Sequence, residues 1–469
     1  MIRILLLLST IAFAQSAAFD DTFTGRTLRL DYYHSGTFDE EHVSLDQVRL
    51  EGPWPGSRVQ LVDRTNRGKY LFEVYDAASG ELLYSRGFAS IYGEYETTVP
   101  ARDGVWGTFH ESQRFPEPKA PVRLVLNKRQ ADGAFAPFYE TGVDPTSRFV
   151  NRSEVAPAGK VWTVFEGGPP ETSVDILFLG DGYTKRERLK FKRDVERLAA
   201  ALFSFEPFKS RKGDFNVRAI HLPTAESGIS NPRQGVWRDN PLGLSYNSLD
   251  SDRYILTYAN RTVREVAAQA PYDALIIINN DRKYGGGGIF NLYATAAAHS
   301  SQAPYLVVHE FGHSFAGLAD EYYTSSTAYE DFNPPGVEPW ESNITALLDP
   351  ANLKWGHLVE TETPLPTPWN QAAYDSASYA YQARRTALRE QGATEEELEA
   401  LFGEVKAITK PMLEGEAHFG KVGAFEGAGY EAKGLFRPQV DCLMFTRNPD
   451  YFCRVCSEAI EQVIDMYTE

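Results

Sequence analysis

The segment Val174-Asp175-Ile176-Leu177-Phe178-Leu179 constrains this chain most. A near-continuous apolar run of this kind is a strand that must be covered on both faces. Thr184, with Glu187 three residues later, then forms a capping box that opens a helix. Its stripe Phe191, Val195, Leu198 and Leu202 recurs at helical spacing. Phe215 to Ile220 reads as a second strand, Arg253 to Ala270 as a second helix, and Ala274 to Ile278 as a third strand. This alternation predicts an α/β domain built on a mixed, largely parallel sheet.

The chain before it has a different texture. Val59 to Val62, Lys69 to Tyr75, Leu82 to Ser85 and Val122 to Leu126 are short β-type runs, and Asp76 to Gly80 reads as a hairpin loop. They predict an antiparallel β-sandwich over residues 19–155, without helices. His34, His42 and His110 are scattered through it and read as surface histidines. Pro157-Ala158-Gly159 and Gly167-Gly168-Pro169-Pro170 mark the domain break, leaving residues 156–469 for the α/β domain. Within that domain, residues 370–410 read as a charged helical hairpin, with Thr394 to Glu397 as a capping box, and as a solvated surface insertion.

With 64 acidic against 47 basic residues the formal charge is −17. Such a surface repels phosphate, which argues against a nucleic-acid partner. Met1-Ile2-Arg3, the apolar run Ile4 to Ala14 and the small residues through Ala18 have the three-part layout of a secretory signal peptide over residues 1–18, cut after Ala14 or Ala18. Export to the periplasm or the exterior is the expectation, with no membrane span.

Within Val307-Val308-His309-Glu310-Phe311-Gly312-His313 lies HExxH. Two histidines four apart on a helix share one face and can meet at one zinc ion, Zn2+. Glu310 then lies beside the open position as the general base. A helix cannot fold back to bring a third ligand, so a breaker must precede it, and Gly317 does. Asp320 follows three residues later, at the glycine-to-ligand distance of metzincins, and is the expected third ligand; Glu321, Glu330 and Asp331 are the alternatives. Asp441-Cys442-Leu443-Met444 supplies a methionine in a tight segment, as in the metzincin Met turn. The pattern departs from the metzincin one in spacing the glycine four residues after His313 and in replacing a histidine with Asp320.

The run His309 to Tyr322, with Ile176 to Tyr183, Tyr284 to Ile289, Phe425 to Tyr430 and Cys442-Leu443-Met444, closely resembles the bacterial IgA-protease-like metallopeptidase family. The resemblance covers most of residues 170–469 and, more loosely, the β domain before them. It implies a zinc endopeptidase; the immunoglobulin specificity behind the family's name belongs to particular members and is not carried over.

Weaker features complete the reading. Gly285 to Gly288 lacks the lysine of a phosphate loop and reads as a flexible turn before a strand Ile289 to Thr295, which is expected to pair with an extended substrate. Tyr430 precedes the Met turn as a candidate donor to the developing oxyanion. Cys442, Cys453 and Cys456 are one thiol short of a four-cysteine zinc site, so a disulfide from Cys442 to Cys453 or Cys456 is expected, pinning the Met turn to the last helix. His221, His299, His357 and His418 have no assigned role. The fold expected is thus a metzincin-like α/β catalytic domain behind a β-sandwich, acting on protein or peptide substrates. The other readings are a non-catalytic module binding glycans or protein, and a zinc amidase acting on peptidoglycan.

Overall fold

The computed structural model describes residues 19–325, 327, 329 and 332–468. Residues 1–18, read above as a signal peptide, and the alternative ligands Glu330 and Asp331 lie outside the described residues.

Eight strands fill the N-terminal part: β1 Phe23–Gly36, β2 Glu41–Pro53, β3 Tyr70–Asp76, β4 Leu82–Phe88, β5 Gly107–Pro118, β6 Val122–Arg129, β7 Phe135–Val143 and β8 Val150–Asn151. They form two four-stranded sheets, ordered β5-β1-β2-β8 and β4-β3-β6-β7. All neighbours are antiparallel except β2 and β8. Leu28, Leu30 and Phe115 from one sheet and Phe72, Leu124 and Leu126 from the other close a single core. Three details differ from the sequence reading. Val59 to Val62 is loop, and two short helices, α1 Ile91–Tyr95 and α2 Val99–Arg102, are inserted before β5. His34 is no surface residue: it is 1% exposed, between Glu41 and Glu111.

The second sheet system comprises β9 Val161–Glu166, β10 Val174–Thr184, β11 Phe215–Thr224, β12 Ala274–Asn279, β13 Gly286–Ile289 and β14 Tyr293–Ala297, in the order β13-β14-β12-β10-β11-β9. β10 is parallel to β11 and β12, and β12 to β14; the two edge strands run antiparallel. Four more helices surround it: α3 Arg188–Leu202, α4 Asn260–Ala267, α5 Ala303–Ala316 and, at the C-terminus, a helix over Arg454–Thr468. The apolar run of β10 explains the layering. Ile176 and Phe178 share a core with Phe191 and Val195 of α3 and Phe311 of α5, while Leu177 and Leu179 meet Val263 and Val266 of α4. The one acid in the run, Asp175, is buried against Arg218 and Asn216. The capping box at Thr184 and Glu187 forms as the spacing predicts.

The helix expected over Arg253–Ala270 is only α4. Its first residues instead run along the edge of β13, where Ile255 donates its N–H to Gly286 O. The hairpin forms as two helices, Gln371–Glu390 and Glu395–Glu414, with the second capped by Thr394. It is more than surface decoration, because its inner face lines the main cleft. Among the described residues no helix is long and apolar enough to cross a membrane.

Candidate metal centre and active-site cleft

His309 and His313 lie one turn apart on α5, which ends where Gly317 adopts φ 62° and donates its N–H to His313 O. A left-handed residue at this place costs little only for glycine. The chain then reverses and brings Asp320 back over the helix. His309 Nε2 lies 3.2 Å from His313 Nε2, and Asp320 Oδ1 lies 3.0 and 3.3 Å from the two.

Each ring is oriented from behind. His309 Nδ1 donates to Leu443 O at 3.2 Å, and His313 Nδ1 donates to Leu318 O at 2.5 Å. A ring whose Nδ1 carries the proton presents a lone pair at Nε2, the arrangement that metal-binding histidines adopt. The tautomers are assigned from these bonds. Tyr305 stacks on His309, with ring centroids 5.2 Å apart. Asp320 Oδ2 accepts a hydrogen bond from the Tyr430 hydroxyl at 2.6 Å, which leaves Oδ1 facing the rings with no hydrogen-bond partner.

These three atoms fit a metal. Their separations match the edges of a tetrahedron around an ion about 2.0 Å from each donor. Their electrostatics agree. Burial disfavours a charged His313, but Asp320 more than offsets it and lifts its pKa to about 9. Burial likewise works against an ionised Asp320, yet His313 and His309 hold its carboxyl well below the usual range. The cluster is balanced only with a cation, proton or metal, among the three atoms.

Glu310 borders the same space. Burial raises its carboxyl above the ordinary value, with His309 and His313 pulling the other way. The glycine run is the reason it fits. A Cβ on Gly288 would stand 2.3 Å from Glu310 O, and one on Gly286 2.9 Å from Glu310 Oε1. The run is therefore strand β13 laid against α5, not a flexible turn. It also corrects the strand expected at Ile289 to Thr295. That stretch turns at Phe290–Leu292 and continues as β14, which is enclosed between β13 and β12. The sheet edge is β13 itself, already bridged at Gly286 by Arg253 and Ile255.

Met444 is buried beneath α5, its Sδ 3.3 Å from where a Cβ on Gly312 would be. Glu321, the nearest rival to Asp320, turns away: its Oε1 accepts from Asn343 Nδ2 at 3.0 Å and its N–H is donated to Met444 O at 2.9 Å. The expected disulfide is not formed. All three cysteines are free, with Cys442 and Cys456 Sγ atoms 3.8 Å apart and Glu321 facing them.

Around this centre opens a cleft of about 800 Å³. Its walls include the helical hairpin, through Arg385, Arg389 and Phe402, and the β-sandwich side, through Lys69 and Glu94. Glu94 Oε2 accepts from the hydroxyls of Tyr254 and of Tyr329, the latter at 2.8 Å. Burial pushes its pKa up to about 7 against those hydrogen bonds. No sequence signal separates Glu94, Asn343 or Tyr305 from ordinary residues, since each acquires its role from a distant partner.

Two comparisons bear on identity. Residues 163–464 match the family described as IgA Peptidase M64, and residues 18–140 match the one described as Peptidase M64 N-terminus. No curated protein matches the chain. The HExxH helix, the returning Asp320 and the β-sandwich ahead of them thus occur in a chain that belongs to the IgA peptidase M64 family.

Proposed function

We propose that this peptidase is an exported zinc endopeptidase, with His309, His313 and Asp320 as the metal ligands, Glu310 as the general base and a metzincin-like arrangement about Met444. Residues 1–18 serve as the signal peptide, residues 19–155 as the accessory β domain and residues 156–469 as the catalytic domain. The observation that carries this reading is the convergence of two imidazole lone pairs and one unpartnered carboxylate oxygen within 3.0–3.3 Å, beside Glu310.

Zinc held there would polarise the scissile carbonyl and acidify a water. The Glu310 carboxylate, beside that centre, would accept a proton from the attacking water and return it to the departing amine. Its raised pKa suits both halves of the task, because a carboxyl that protonates readily can also deliver the proton. Asp320, clamped by Tyr430, keeps Oδ1 in place, while Leu443 O and Leu318 O prevent the rings from turning. The free part of the β13 edge, beyond the bridge at Gly286, is where an extended substrate chain adds its own main-chain hydrogen bonds.

The test is Glu310→Ala. It should retain metal yet lose peptide hydrolysis by roughly 100- to 10,000-fold or more on a diverse peptide library. Undiminished hydrolysis would sink the mechanism.

A further inference from the structure

We infer that Glu321, Cys442, Cys453 and Cys456 form a second, structural metal centre for a thiophilic divalent cation of the zinc class. All four residues are buried, with exposures of 0%, 0%, 1% and 0%, and their donor atoms lie within 4.8 Å of one another.

The spacing is that of a coordination shell. Four donors around zinc with metal–sulfur bonds of about 2.3 Å stand about 3.8 Å apart at their sulfurs. Cys442 and Cys456 are separated by 3.8 Å. A sulfur and a carboxylate oxygen in the same shell stand about 3.5 Å apart. Cys456 Sγ lies 3.4 Å from Glu321 Oε1. The fourth ligand that the cysteine count lacks is thus a carboxylate, 135 residues away in sequence from Cys456.

The surroundings also suit thiolates. Backbone N–H groups of Cys453 and Met444 point at Cys442 Sγ, and that of Cys456 at Cys453 Sγ, at 3.2, 3.5 and 3.4 Å. Such donors favour the charged sulfur that metals bind. Glu321 Oε2 has no hydrogen-bond partner although the residue is fully buried. A carboxylate left thus is costly unless a cation sits beside it. A Cys442–Cys456 disulfide would leave both that carboxylate and the Cys453 thiol uncompensated. The buried Arg437 offsets part of the negative charge that a divalent ion would leave.

The position gives the ion a purpose. Glu321 adjoins Asp320, and Cys442 adjoins Leu443, whose carbonyl orients His309. Cys453 immediately precedes the C-terminal helix and Cys456 lies in its first turn. One ion would bolt together the segments that aim two of the three active-site donors. This inference does not depend on catalysis.

The experiment uses the full-length protein purified without reductant. Elemental analysis should find two zinc-class ions per chain, and all three cysteines should titrate as thiols after denaturation with chelator. Cobalt(II) exchanged into the protein should give intense thiolate-to-metal charge-transfer absorption. That band should persist in His313→Ala, which loses only the histidine-bound ion, and should weaken in Cys456→Ser and Glu321→Gln. A single titratable thiol, or wild-type cobalt protein without the charge-transfer band, overturns the inference even if every variant misfolds.

Discussion

The hydroxyl of Tyr430 donates to Asp320 Oδ2 at 2.6 Å, on the side of the carboxylate away from the two histidines. A partner placed there fixes the torsion that aims Oδ1. Tyr430→Phe should therefore weaken metal binding and lower activity by about 10- to 100-fold, as loss of such supporting bonds commonly does. Competition with a zinc-binding dye measures the affinity. An unchanged affinity would remove Tyr430 from the role of clamp.

Gly288 is the closest approach of β13 to α5. An added methyl would meet Glu310 O at 2.3 Å, and a backbone carbonyl cannot swing away as a side chain can. Gly288→Ala should cost about 1–3 kcal/mol in denaturant unfolding, the range for overpacking, and should depress activity as Glu310 shifts. Native stability and activity together would show that the strand has room to retreat.

Arg253 and Arg385 line the cleft, and among the described residues neither guanidinium makes an ion pair or a hydrogen bond, that of Arg253 lying over the Tyr284 ring at 5.5 Å. Burial, with repulsion from Arg253 and Arg389, lowers Arg385 to about 9. An anionic side chain of the substrate would relieve that repulsion. Peptides carrying Asp or Glu near the scissile bond should be preferred, and Arg385→Glu should shift the kcat/KM ratio of acidic to basic peptides by at least about tenfold, roughly 1.4 kcal/mol. A library profile indifferent to charge in both proteins would refute it.

His34 makes the β-sandwich sensitive to alkali. Its Nε2 lies 2.7 Å from Glu41 Oε1 and its Nδ1 3.0 Å from Glu111 Oε2, with Lys128 also bonded to Glu41. Burial acts to lower its pKa, but Glu111 and Glu41 raise it from 6.5 to about 9. A folded-state pKa above the unfolded one gives stability that is fully present below pH 6.5 and is lost as pH rises through about 9. The difference in unfolding free energy between wild type and His34→Gln should shrink by a few kcal/mol across that window. A pH-independent difference would exclude the charged histidine.

Much of this was legible because it is local. The apolar run of β10, the capping boxes at Thr184 and Thr394, the HExxH spacing and the break at Gly317 are each set by residues within a few positions. The misreadings arise where distant chain decides. Glycine normally weakens a strand, so Gly285 to Gly288 read as a turn, whereas the closeness of α5 to β13 leaves no room for side chains at Gly286 and Gly288. Arg253 to Ala259 read as the start of a helix, but Arg253 O and Ile255 N–H bond instead to Gly286 at the edge of β13. The spacing after Gly317 already favours Asp320 over its neighbour Glu321, but what Glu321 faces, three cysteines and Asn343, is set by distant chain.

Glu94 belongs to the N-terminal part of the chain, yet its carboxylate holds Tyr254 and Tyr329 at the cleft. Thermal inactivation therefore need not begin at the metal. Melting of the β-sandwich alone would withdraw one wall of the cleft, so the less robust of the two halves sets the temperature at which the enzyme stops working.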